Sequence, residues 1–284
     1  MSQSTPLAAP QPARAFVASR FLALLRVDWA ERKRSYYALA AVVLVVHVLF
    51  LGLIAAGAPA IRPLEKETLM TLYYSLLLVF LAAFCCVLFA PLQRQGSALL
   101  TLVRPASSLE KWLHAVLMLL VAMPLAYTLI FELLYLGANA LAAQAEATHY
   151  AKLAAEGQKS FNKPVGFQWF VPLLGNDSQG MAMAQAMYLW LTVVLAGFGA
   201  YSLVKFQRAA ALKALGLAVV LLLCTLLLLL VSSSEPSVLF EWGKPAVLRR
   251  NGWDAWLAQC LFWLVCPLLL WLASFWAWRE KDLA

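Results

Sequence analysis

Six stretches of this chain, at approximately 36–57, 69–91, 112–138, 182–204, 214–231 and 254–277, are apolar nearly throughout. Each is close to the roughly 20 residues that a helix needs to cross the hydrocarbon core of a bilayer. Inside lipid a backbone must satisfy its own hydrogen bonds, so the spans are expected to be helices rather than strands. The sequence therefore predicts an all-α membrane protein with about six transmembrane helices. Composition agrees: 63% of the residues are hydrophobic, and the 13% that are charged are bunched between the apolar runs. Nearly all of the 284 residues go into spans and connectors, which leaves one membrane domain over 36–284 and no soluble catalytic domain.

Residues 1–13, rich in Ser, Pro and Ala, are expected to be disordered. In 14–35, Ala18, Phe21, Leu22, Leu25 and Trp29 fall at helical spacing on one face, while Arg20, Arg26 and Glu31 fall elsewhere and Arg32-Lys33-Arg34 closes the segment. This pattern reads as an amphipathic helix lying in the membrane interface. The first apolar run ends in Gly57-Ala58-Pro59-Ala60, a faint imitation of a cleavage site, but it is long enough to span and is read as a retained helix.

Basic residues set the orientation. With the N-terminus inside, 14 Lys and Arg fall in cytoplasmic segments and 8 in outer ones, so N-in and C-in is expected. The same bias accounts for the net charge of +8 without nucleic acid as a partner and turns the inner side toward anionic lipid. Trp253 and Trp256 at one end of the last span, and Trp276 and Trp278 at the other, suit two aromatic belts. The expected location is a bacterial inner membrane, with several crossings. The five cysteines all sit in predicted spans, without a CxxC pair or a Cys/His cluster, and are read as small core residues.

Two connectors stand out, the longest on each side. The outer one, 139–181, begins with an alanine-rich helical stretch from Ala140 to Ala155, stopped by Gly157, and goes on to the aromatic residues Phe161, Phe167, Trp169 and Phe170. The inner one, 92–111, follows Pro91. Gly96 permits a turn, Ala98 to Val103 is an apolar run too short to cross, and Arg104-Pro105 breaks it. Ser107 with Glu110 three residues later has the spacing of a capping box at the head of the third span.

The order Arg94-x-Gly96, a short apolar helix with Leu100 and Leu102, then Pro105-Ala106-Ser107 and Glu110-Lys111, resembles the permease subunits of type-two ABC exporters. The layout is similar too, with an amphipathic helix before six spans and both ends inside. The resemblance implies a transport subunit rather than an enzyme. It implies a second copy of the chain, and separate ABC ATPase subunits that carry the ATP and Mg and dock on the loop between spans two and three. Arg94, Arg104, Ser107, Glu110 and Lys111 are then the coupling candidates, the charged ones as a rim that fixes register with the ATPase. In one respect the chain departs from many such permeases: its longer external piece lies between spans three and four rather than five and six, so the cargo does not carry over.

The chain itself lacks a Gly-x4-Gly-Lys-[Ser/Thr] phosphate loop, an HExxH spacing and a Gly-x-Ser-x-Gly elbow, so no cofactor or metal of its own is expected. Within the spans the polar candidates for a translocation path are Glu132, Tyr127 and His47. Glu132 reads equally as a functional acid or as one that reaches the interface or a neighbouring hydroxyl such as Tyr135, and His47 reads more readily as packing than as a relay. Rival readings are a non-transporting anchor that recruits a soluble partner, an intramembrane enzyme, for which two convergent polar groups are wanted, and a proton-coupled transporter.

Overall fold

The structure is a computed structural model, and it describes residues 16–61, 66–93, 104–157, 179–206 and 259–283. Every element among these is helical: α1 (Ala18–Ile61), α2 (Lys66–Gln93), α3 (Ser108–Leu117), α4 (Met123–Ala155), α5 (Gln179–Lys205) and α6 (Cys266–Leu283). Wide π-turns at Met118–Ala122 and Leu261–Val265 lead into α4 and α6. Counting α3 to α4 as one rod, five helices among the described residues are long and apolar enough to cross a membrane. The fifth predicted span, 214–231, the stretch 94–103 with Arg94, Gly96, Leu100 and Leu102, and residues 158–178 of the outer connector lie outside the described residues.

Both π-turns have a local cause. Pro124 and Pro267 each follow one, and a proline has no N–H to give while its ring crowds the carbonyl four residues earlier. Widening the turn moves that carbonyl aside without ending the helix. The α3–α4 rod runs from 108 to 155, so the alanine-rich stretch continues the third span rather than forming a separate cap. It stops where Gly157 takes φ +70°, the left-handed turn that glycine enters without strain. Likewise the segment 18–35 and the first span form one unbroken helix.

α1 lies along α4, α2 along α5, and α5 along α6, while α3 wedges against α1 and α6. Small residues bring α5 close to its neighbours. A methyl added at Gly199 would meet Cys85 Sγ at 2.8 Å, and one at Gly197 would meet the Trp271 ring at 3.0 Å. The core is aromatic, with Tyr73, Tyr74, Tyr127, Tyr135, Phe89 and Phe131 fully buried. The outer faces are bare leucine: Leu53 is 73% exposed and Leu133 72%. A water-soluble fold rarely leaves such apolar surface uncovered, and the architecture is compatible with a multi-pass membrane protein.

Candidate functional site

Among the described residues, polar chemistry collects in two places. The first is a junction where α1 begins, α2 ends and α3 begins. Ser107 is the N-cap of α3, and the capping box is complete: Ser107 Oγ accepts the Glu110 N–H at 3.2 Å, and Glu110 Oε2 accepts the Ser107 N–H at 2.8 Å. The same carboxylate does more. Its Oε1 accepts the Val17 N–H at 2.7 Å and a hydrogen bond from Arg20 Nη2 at 3.2 Å. Val17 stands at the cap of α1 and has no side-chain oxygen of its own. One buried carboxylate thus caps the positive ends of two helices that lie 93 residues apart in sequence.

Deeper in the junction lies Asp28. Its carboxylate accepts the Tyr36 hydroxyl at 2.6 Å, pairs with Arg32 at 3.1 Å and is approached by His114 Nε2 at 3.5 Å. Arg32 also donates to the Leu88 carbonyl near the end of α2, and Arg104 pairs with Glu31. Burial pushes both carboxyls up, but their partners outweigh it. His114, Arg32 and Tyr36 leave Asp28 below its ordinary range, and the Val17 and Ser107 amides together with Arg20 do the same for Glu110. The ends of the helices are joined as well. Trp112 Nε1 donates to Ser274 Oγ at 2.9 Å on α6, and the Gln93 side chain donates to the Leu203 carbonyl at 2.8 Å on α5.

Of the coupling candidates, Arg104, Ser107, Glu110 and Lys111 fall together at this junction, and Arg94 lies outside the described residues. Their placement corrects one expectation. Glu110 has no exposed surface and Lys111 only 4%, so they are interior groups and not a rim offered to a partner. The reason is local. The helix that begins at Ser108 packs that turn against α1, and Glu110 has two sets of amides to satisfy. Sequence reasoning missed Asp28, Arg32 and His114. A signal was present: Leu24, Asp28, Arg32 and Tyr36 recur every four residues and form one stripe. The apolar stripe was the more conspicuous one, and it faces outward, with Leu22 53% and Trp29 48% exposed.

The second place is mid-helix. His47 is fully buried between Phe80, Tyr127 and Phe131. Its Nδ1 lies 2.7 Å from the Val43 carbonyl and its Nε2 3.0 Å from the Tyr127 hydroxyl. A carbonyl only accepts, so the proton belongs on Nδ1 and Nε2 of the neutral ring is an acceptor. Tyr127 then has one proton for two acceptors, His47 Nε2 and the Tyr73 carbonyl at 2.7 Å. Thr128 gives its proton to the Pro124 carbonyl at 2.7 Å, so the Tyr73 hydroxyl donates to Thr128 Oγ1 at 2.6 Å. Two of the path candidates, His47 and Tyr127, are therefore in direct contact, tying α1 to α4 and α2. The third stands apart: Glu132 Oε1 is buried without a hydrogen-bond partner, and the Tyr135 hydroxyl accepts from Asn139 at 3.1 Å instead.

Among the described residues no group of three His, Cys, Asp or Glu side chains is placed to hold a metal ion. No family model, no curated protein and no solved structure matches this chain.

Proposed function

We propose that the chain is the membrane-spanning permease subunit of an ATP-driven exporter, with six spans and both ends in the cytoplasm. It works as two copies bound to separate ATPase subunits that hold ATP and Mg. The observation that carries this reading is the double cap at Glu110. The distal end of the 92–111 loop is fixed to the first helix by buried, charge-assisted hydrogen bonds, among the stronger contacts available to a protein. A push on that loop is therefore delivered to α1 and to the α3–α4 rod together, as a rigid-body transition between packed states requires. A simple anchor for a soluble partner has no use for such a linkage.

In this mechanism the ATPase touches the loop through Arg94 and its neighbours. Glu110, Asp28 and their partners transmit the displacement, and the helices tilt about the mid-span contacts. Glu132, the unpartnered acid within a predicted span, handles cargo. Co-purification with a mass-spectrometric search for a nucleotide-binding partner is the first test. With that partner in hand, Arg94→Glu is expected to lower ATPase stimulation and export together while insertion persists. Glu132→Gln is expected to keep stimulation and change export alone. Wild-type stimulation and export in Arg94→Glu, or no nucleotide-binding partner at all, would favour the anchor. Labelling of cysteines placed at Ser97 and Ser160 from opposite faces tests the orientation separately.

A further inference from the structure

Five buried side-chain atoms among the described residues lack a hydrogen-bond partner, and three of them point to one place. Trp278 Nε1, Arg32 Nε and His114 Nε2 belong to residues that line a single small cavity between α1, the end of α2, the start of α3 and the end of α6. The indole N–H and the Arg32 Nε–H can only donate. Trp278 is 5% exposed, so bulk solvent does not serve it. His114 Nε2 stands 3.5 Å from the Asp28 carboxylate, too far for a good direct bond. Buried polar atoms without partners cost free energy, and three around one space call for a ligand that both accepts and donates.

Size and charge decide which ligand. The cavity measures about 30 Å³. A water molecule needs roughly 10–15 Å³ of such space, so one or two fit and an organic group does not. Arg32 is matched by Asp28, Arg104 by Glu31, and Lys111 has a partner too, so the lining holds no excess charge that would select an ion. Asp28 is the one carboxylate among the lining residues. It already accepts from Tyr36 and Arg32, and with about four lone-pair sites a carboxylate can take a further donor.

We infer that this cavity is a binding site for one or two ordered water molecules. One accepts from Trp278 Nε1 and the Arg32 Nε–H and donates to Asp28. His114 Nε2 is met by the same molecule or by the second, as acceptor or donor according to its tautomer. The water joins Trp278 on α6 to Arg32 and Asp28 on α1 and to His114 on α3. Glu110 holds α1 to α3 directly, whereas α6 meets the Asp28–Arg32 pair through water, a contact that can shift without breaking an ion pair. The site stands on the cavity and its unpartnered atoms and does not depend on the transport reading.

The test is hydroxyl-radical footprinting of the full chain in lipid nanodiscs. X-ray pulses split water, and radicals formed from a bound molecule mark the side chains that hold it. Trp278 is compared with Trp271 on the same helix, which is nearly as buried at 8% exposure but gives its N–H to the Val193 carbonyl. A scavenger in the bulk solvent removes radicals that arrive from outside. The expected result is that Trp278 is oxidised several-fold faster than Trp271 and stays so with the scavenger present. Ala115→Val, which fills part of the cavity, is expected to bring Trp278 down to the rate of Trp271. Equal rates for the two tryptophans in the wild-type chain overturn the proposal. So does an excess at Trp278 that the scavenger abolishes, or one that folded Ala115→Val keeps in full. Should Ala115→Val misfold, the wild-type comparison with scavenger decides the matter alone.

Discussion

The two halves of α1 bury opposite chemistry along one continuous stripe. From Leu24 to Tyr36 the inward positions hold Asp28 and Arg32, and the outward ones hold Val27, Trp29 and the basic residues Arg26, Lys33 and Arg34. From Val43 to Ala55 the inward positions are apolar apart from His47, and the outward ones are apolar too. The first half is inverted relative to a helix of a soluble protein, and the second is apolar on both sides. Asp28 and Arg32 are tolerable inside because Asp28 is met by Arg32 and Tyr36 of its own helix and by His114 of α3, and Arg32 also by the Leu88 carbonyl of α2, and without those partners their burial would be prohibitive. The junction is thus held by a few strong and conditional contacts, and the mid-span region by many weak ones. The two should fail differently.

The largest difference should come from Asp28. Asp28→Ala leaves Arg32 buried beside His114 and Tyr36 with their acceptor removed, and a loss of about 3 kcal/mol or more is expected. His47→Phe removes two hydrogen bonds but fills the space, and should cost about 1 kcal/mol. Unfolding midpoints in detergent compare the two. Equal losses would dissolve the distinction between the halves.

Acid should separate the regions in the same sense. Asp28 and Glu110 both have carboxyls held below their unfolded values, so their stabilisation is present above about pH 4 and is lost as pH falls through the lower folded values. The midpoint is expected to drop on acidification below about pH 4, and Glu110→Gln should flatten that limb while costing about 1–2 kcal/mol at neutral pH. A pH profile unchanged in Glu110→Gln would place the acid sensitivity elsewhere. The burial of Glu110 and Lys111 also means that reversing both charges should unfold the junction, and it therefore cannot serve as a clean probe of docking.

The mid-span region has its own sensitivity, which is steric. Gly199→Ala places a methyl against Cys85 Sγ and should cost about 1–3 kcal/mol through overpacking. Cys85→Ala in the same chain should recover part of it, and no recovery would mean that the Cys85 Cβ, 3.3 Å from the added methyl, is the limiting contact. The smallest change is Ser107→Ala, about 1 kcal/mol, because Glu110 retains its bonds to Val17 and Arg20 when the Ser107 hydroxyl is lost.

Residue order alone determined a great deal here. Long apolar runs specify helices long enough to cross a bilayer, because a single segment satisfies its own backbone in lipid only as a helix. A Ser-x-x-Glu spacing specifies a cap, because the contact closes within one turn. Gly157 ends its helix, and the prolines set the π-turns, for equally local reasons. Tertiary structure alone decided where the polar side chains go. That Glu110 caps α1 as well as its own helix, that Asp28 meets His114, and that His47 meets Tyr127 depend on contacts between residues 80 to 93 positions apart. No period in the sequence encodes which helix lies beside which. In a chain whose outer surface is as apolar as its interior, hydrophobic patterning does not say which face of a helix turns inward; side-chain fit and the need to pair each buried charge do.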